Sequence, residues 1–183
     1  WLVQLEADNT ALVGWLVELW YDGDVYATTT TDSLGYYYFG NIPCGDYEIH
    51  EEIPFGWQQT YPFEMSESLY YEVTLPLENT YTQAALVSNA KNFRNRPLIC
   101  GHKYDSGNNY APLSGWQIDL NEVTGAFIGS TTTNLQGESC FDVNSIGDYV
   151  VSEEDRAGWD EEYLSKTINF DGTKKVFVNY NNN

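Results

Sequence analysis

Gly147-Asp148-Tyr149-Val150-Val151-Ser152-Glu153 decides the fold, because Gly45-Asp46-Tyr47-Glu48-Ile49-His50-Glu51 repeats it 102 residues earlier. In both stretches an apolar residue falls at every second position after a glycine turn, the pattern of a half-buried strand. Working outward, Gly35 and Gly137, Phe39 and Phe141, and Trp57 and Trp159 keep the same offset of 102, while Gly14-Trp15 and Gly115-Trp116 differ by 101. Thr31-Asp32-Ser33-Leu34-Gly35 likewise answers Thr133-Asn134-Leu135-Gln136-Gly137. A constant spacing over so many matched positions reads as two copies of one module. The first copy ends near Phe93-Arg94-Asn95 and the second near Phe177-Val178-Asn179, where the offset falls to 84. That drop places an insertion in the first copy between Phe63 and Val87. The boundary falls at Arg96-Pro97, giving modules 1–96 and 97–183. One proline without a Gly/Ser run makes a short, stiff joint.

Within each copy, short alternating runs such as Gly115–Leu120 and Lys175–Asn179 are punctuated by turn signals at Asp22-Gly23-Asp24, Pro43-Cys44-Gly45, Ser106-Gly107-Asn108-Asn109 and Asp171-Gly172. Tyr, Thr, Val and Trp are abundant, and they favour a pleated surface. No stretch has helical periodicity. The fold class is therefore all-β, with each module of roughly ninety residues an immunoglobulin-like β-sandwich.

The formal charge is −19, from 27 acidic and 8 basic residues. The copies share it: 3 basic and 14 acidic residues in 1–96, 5 and 13 in 97–183. No basic strip is present to neutralise phosphates, which argues against nucleic-acid binding, and an anionic membrane surface would repel the chain. No apolar run is long enough to span a bilayer. No leader-like segment stands at Trp1, so the chain reads as a mature, processed or trimmed piece.

The second copy resembles the collagen-adhesin B-type modules and their relatives, the serine-aspartate-repeat B domains. The resemblance rests on Lys103-Tyr104-Asp105, Leu113-Ser114-Gly115-Trp116, Thr133 to Gly137, Gly147-Asp148-Tyr149 to Glu153, Gly158-Trp159 and Asn179, and covers nearly all of 98–180. The first copy matches from Leu12 to Trp57. The resemblance implies a prealbumin-like immunoglobulin sandwich that builds stalks, pili or adhesins at the cell surface. It also implies a spontaneous Lys–Asn isopeptide bond, with Lys103 the donor, Asn179 the acceptor and Glu153 the assisting acid. Partners would be copies of the chain or neighbouring modules of the same surface protein. The second reading is an adhesin or carbohydrate-binding module that recognises a host protein or polysaccharide.

Strand alternation tests the implied site independently. Ile99, Gly101 and Lys103 share one face, as do Tyr149, Val151 and Glu153, and Phe177 and Asn179. If the large apolar residues face the core, Lys103, Glu153 and Asn179 do too. Burial disfavours both charges, and a neutral amine beside a protonated acid is the state required for attack on an amide carbonyl. An ordinary Lys103–Glu153 salt bridge is the alternative. In the first copy, aligning Leu2–Asp8 with Ile99–Asp105 puts Glu6 at the lysine position. Glu51 and Asn95 remain but no donor amine does, Lys91 being better read as a surface residue. The first strand could also be completed by a neighbouring subunit.

Other chemistries are weaker. His50 and His102 have no His or Cys partner at ligand spacing. Ser–His–Asp catalysis lacks a nucleophile elbow. Glu51-Glu52 and Glu153-Glu154 point to opposite faces of a strand and cannot flank one glycosidic bond. No cofactor or metal is expected and no enzymatic activity. Calcium is the one cation with oxygen-rich loops to consider, at Asp105, Asn108 and Asn109 and at Asp22 and Asp24. Trp15, Trp57, Trp116 and Trp159 recur in both copies and read as core. Tyr36, Tyr37, Tyr61, Tyr70, Tyr71 and Tyr110 are freer and suit a subunit contact. Cys100 on a first strand and Cys140 on a middle strand are the preferred disulfide. Cys44 is left buried or paired between subunits, and secretion permits either.

Overall fold

The computed structural model describes residues 1, 3–5, 9–62, 69–75, 91–160 and 165–182. The chain forms two compact units, Trp1–Arg96 and Pro97–Asn183. All regular structure among the described residues is β.

Unit 1 contains β1 (Val3–Leu5), β2 (Leu16–Tyr21), β3 (Asp24–Thr30), β4 (Gly45–Glu51), β5 (Trp57–Tyr61), β6 (Tyr71–Leu75) and β7 (Phe93–Pro97). They form one sheet in the order β3-β2-β4-β6 and another in the order β1-β7-β5. Alternation sends Val17 and Leu19 of β2 and Tyr47 and Ile49 of β4 inward, where they join Val3 and Phe93 in one core. Each such side chain withdrawn from water stabilises the fold by about 1.5–3 kcal/mol.

Unit 2 contains β8 (Ile99–Asp105), β9 (Ala111–Pro112), β10 (Gln117–Glu122), β11 (Phe127–Thr132), β12 (Glu138–Phe141), β13 (Gly147–Glu153), β14 (Ser165–Phe170) and β15 (Val176–Asn182). One sheet runs β11-β10-β13-β14, and the other β12-β8-β15 with β9 on β8. Ile118, Leu120, Tyr149 and Val151 meet Ile99, Val178 and Tyr180 in its core.

The matched sequence positions make matched contacts. Thr31 and Thr133 are buried; their hydroxyls accept from the amides of Trp15 (2.9 Å) and Trp116 (3.0 Å) and donate to the carbonyls of Leu12 (2.6 Å) and Leu113 (2.7 Å). Each indole next to these threonines meets the second tryptophan edge-on: Trp15–Trp57 and Trp116–Trp159 both have centroids 5.4 Å apart. In each unit the first strand pairs in parallel with the last, β1 with β7 and β8 with β15.

The closing strands correct the alignment made from sequence. Val3 donates its amide to the Gly35 carbonyl and accepts from Leu12, as Lys103 does with Gly137 and Leu113. Gly35 and Gly137 both have φ near +75°, and a Cβ there would sit 2.8 Å from the Val3 oxygen or 2.5 Å from the Lys103 oxygen, so only glycine fits. Val3, not Glu6, therefore occupies the lysine position; Glu6 lies outside the described residues. Val3 pairs with Phe93, and Lys103 pairs with Tyr180. The last strands then align Phe93 with Tyr180 and Asn95 with Asn182, three residues beyond the alignment that used Asn179. An odd slip reverses the faces of a strand. Val178, Tyr180 and Asn182 are buried while Phe177 and Asn179 are exposed. The expected insertion of unit 1 falls on both sides of β6 and lies largely outside the described residues.

Candidate functional site

In unit 2 three polar side chains enter the space between the sheets. Lys103 comes from β8 and Asn182 from β15, each with 0% exposure, and Glu153 from the end of β13. Lys103 Nζ forms an ion pair with Glu153 Oε2. The ammonium lies 4.5 Å from the centroid of the Trp116 ring and 5.9 Å from that of Tyr180, so aromatic faces enclose it. Burial raises the Tyr180 hydroxyl above its ordinary pKa, and the Glu153 charge adds to the shift. Asn182 sits two residues beyond the strand partner of Lys103 and on the same face. Two residues advance a strand by roughly 6.6 Å and neighbouring strands lie roughly 4.8 Å apart, within the span of a lysine and an asparagine side chain together. Neither atom of the Asn182 amide group has a hydrogen bond among the described residues. Such an orphan costs about 1–3 kcal/mol.

Of the residues expected at this site, Lys103 and Glu153 come together and Asn179 does not. Asn179 projects to solvent on the opposite face of β15. Asn182 occupies the place foreseen for it, and a second-residue count from Val178 and Tyr180 would have found it.

Unit 1 has the same framework with one replacement. Asn95 Nδ2 donates to Glu51 Oε2 at 2.9 Å, and both residues are buried. Burial pushes the Glu51 carboxyl up to about 8, against which the Asn95 hydrogen bond acts only partly. The second oxygen of Glu51 and the oxygen of Asn95 have no hydrogen bond among the described residues. Where unit 2 has Lys103, unit 1 has the fully buried Val3.

Cys100 and Cys140 are bonded across the β8–β12 ladder, where they are direct register partners. Cys44 is exposed rather than buried. Tyr37, expected to be free for a contact, is buried in the unit 1 core with its hydroxyl donating to the Lys91 carbonyl. Tyr36, Tyr61 and Tyr110 are exposed. In the oxygen-rich loop considered for calcium, Asp105 Oδ1 accepts from the amides of Gly107 (3.0 Å) and Asn108 (3.1 Å), closing a turn. No cluster of three or more metal-ligating side chains occurs among the described residues.

Comparison with known proteins finds similarity to surface proteins. Serine-aspartate repeat-containing protein F of Staphylococcus epidermidis is 26% identical over 152 residues, covering 75% of this chain and 9% of that protein. The chain is thus similar in sequence to a serine-aspartate-repeat surface protein. Colossin-A of Dictyostelium discoideum is 44% identical over 62 residues, 32% of this chain and 1% of its own length. The chain thus spans less than a tenth of the length of the curated relatives it matches. No family model matches. Among solved structures, the minor pilin GBS52 of Streptococcus agalactiae shares 17% identity at a TM-score of 0.41, covering 96% of this chain and 84% of the pilin. BcpA, the major pilin subunit of Bacillus cereus, shares 9% identity at 0.40, covering 100% and 97%. Among the described residues no helix is long and apolar enough to cross a membrane.

Proposed function

We propose that this chain is an extracellular module of a cell-surface stalk or pilus, structural rather than catalytic toward any outside substrate, with unit 2 closed by an isopeptide bond between Lys103 and Asn182. The observation that carries the proposal is the burial of Lys103, Glu153 and Asn182 within unit 2, with both Asn182 amide atoms lacking hydrogen bonds among the described residues. Removing an amine and an acid from water penalises both charges, so the pair is favoured as neutral amine and protonated acid. Lys103 Nζ then attacks Asn182 Cγ. The Nζ–Cγ bond forms, the Cγ–Nδ2 bond breaks, Glu153 passes the proton from Nζ to Nδ2, and ammonia leaves. The product is one neutral secondary amide in place of a buried amine and an orphaned carboxamide, which relieves the two costs together. Similarity to surface proteins supports the location, and polymerising neighbours or copies of the chain are the partners this role requires.

Intact mass of the denatured, reduced chain tests the bond. A mass short by one ammonia is expected, restored to full by Lys103→Ala or Asn182→Ala and unaffected by Asn179→Ala. A full mass for the unsubstituted chain overturns the crosslink and leaves Lys103–Glu153 an ion pair.

A further inference from the structure

Opposite the core, the β3-β2-β4-β6 sheet of unit 1 presents two registered rows. One places Glu18 beside His50; the other places Trp20 beside Glu48 and Glu48 beside Glu72. Tyr70, immediately before β6, completes the first row: its ring stacks on His50 with centroids 4.5 Å apart and planes 21° apart. Trp20 leans on the same imidazole at 5.2 Å. Two hydrogen bonds orient the carboxylates. Trp20 Nε1 donates to Glu18 Oε2 at 2.8 Å, and His50 Nε2 lies 2.8 Å from Glu48 Oε2. These side chains are not core: Glu72 is exposed, and Trp20, His50 and Tyr70 are half-buried.

Unit 2 shows that the fold does not need them. The same register positions there hold Asp119, Asn121, Val150, Ser152, Ser165 and Thr167. The next row out is alike in both units: Thr74 donates to Asp46 at 2.6 Å and Asn169 to Asp148 at 2.7 Å. The two rows in which unit 1 sets three rings among three carboxylates are thus built differently in unit 2. Large aromatic side chains held on the wet side of a sheet, without a packing role, mark a contact surface.

We propose that this face of unit 1 docks a basic polypeptide segment, whose arginine and lysine side chains pair with Glu18, Glu48 and Glu72 beside the Trp20–His50–Tyr70 rings. Charge selects this occupant. No lysine or arginine lies on the four strands, and all three of unit 1, Lys91, Arg94 and Arg96, fall on or just before β7 of the other sheet. A guanidinium matches a carboxylate in two parallel bonds and tolerates an aromatic neighbour, so the alternation of acids and rings suits arginine in particular. A saccharide would need a ring face to lie on, and His50 and Tyr70 cover each other instead. A second copy offers no basic segment for this face, since its 8 lysines and arginines are scattered among 27 acidic residues.

The inference does not rest on the crosslink, which is read by mass alone. Nona-arginine is titrated into the isotope-labelled full chain at physiological salt. Saturable binding is expected, with shifts concentrated on β2, β4 and the Trp20 indole N–H. The triple change Glu18→Gln, Glu48→Gln, Glu72→Gln should weaken it about tenfold. Asp119→Asn, Glu122→Gln, Asp148→Asn on unit 2 removes the same charge and should change affinity less than about twofold. Equal weakening by the two triples overturns the site, since net charge alone would then explain binding. Two other outcomes also overturn it: shifts at this face with chitohexaose but not with nona-arginine, and self-association in sedimentation that the unit 1 triple abolishes.

Discussion

Val3 and Lys103 hold the same place in two near-identical frameworks, and the contrast isolates what the fold itself requires. Both donate to a glycine carbonyl, accept from a leucine amide and stand opposite a buried aromatic residue, Phe93 or Tyr180. Each unit also buries an acid of the central strand, Glu51 or Glu153, and an asparagine of the last, Asn95 or Asn182. Acid and amide are thus common equipment, and the amine is the variable. In unit 1 the acid settles on the amide through one hydrogen bond and stays protonated at neutral pH. In unit 2 it meets Lys103 instead. The backbone accommodates either solution without visible change in its hydrogen bonds.

Exchanging the variable residue should give the largest effect. Lys103→Val removes the donor and leaves a Glu153–Asn182 pair like that of unit 1; the full mass returns and unit 2 loses about 3–5 kcal/mol or more, read by hydrogen exchange resolved by unit. Val3→Lys is the converse and should cost the chain a second ammonia. If that variant keeps its mass while unit 1 loosens, the three positions do not suffice and the comparison breaks.

The next effect is pH dependence confined to unit 1. Glu51 is held at about 8 in the fold against an ordinary 4.5. The folded unit keeps a proton that the unfolded chain releases. Its contribution is complete below about pH 4.5 and lost as pH rises through about 8, at about 1.4 kcal/mol per pH unit within that window. Denaturant melts of unit 1 between these limits should show the slope, and Glu51→Gln should flatten it.

Opening the Cys100–Cys140 bond with Cys100→Ser, Cys140→Ser should destabilise unit 2 by about 2–4 kcal/mol and leave unit 1 unmoved in the same exchange experiment. Most even should be Gly35→Ala and Gly137→Ala, each losing about 1–2 kcal/mol from the left-handed backbone and more from the approach of the new Cβ to a strand carbonyl. Unequal losses would show that the shared framework is less alike in stiffness than in shape.

The repeat, its boundary and the all-β class were legible because glycine turns, threonines and paired tryptophans sit at fixed spacing and each has one geometry to satisfy. Lys103 and Glu153 were legible for the same reason, both lying on strands with a clear apolar alternation. The proposed acceptor was not. Asparagine recurs at Asn179, Asn181 and Asn182, and Phe177 looks like a core residue, so pattern alone chose the wrong face of β15. Its true anchors are Val178 and Tyr180, fixed by parallel pairing with β8, a long-range constraint that local alternation does not contain. The misplacement of Glu6 has a similar origin: the place of Val3 is set by its pairing with Phe93 and its bonds to Gly35 and Leu12, not by local alternation. The aromatic–acid face of unit 1 escaped notice because its members come from β2, β4 and the start of β6 and become neighbours only across strands.

The parallel pairing of first and last strands has a mechanical consequence. The polypeptide enters β8 at the end where Ile99 meets Val176 and leaves β15 at the other, where Asp105 meets Asn182. Tension along the chain therefore loads the seven rungs of this ladder together in shear, rather than peeling them one by one. Among the described residues, the corresponding ladder in unit 1 has three rungs. With the proposed amide between Lys103 and Asn182, force in unit 2 would run along β8, across that bond and out, bypassing β15 and the remaining strands. Unit 1 would extend first, and the chain would act as an extensible link in series with a rigid one.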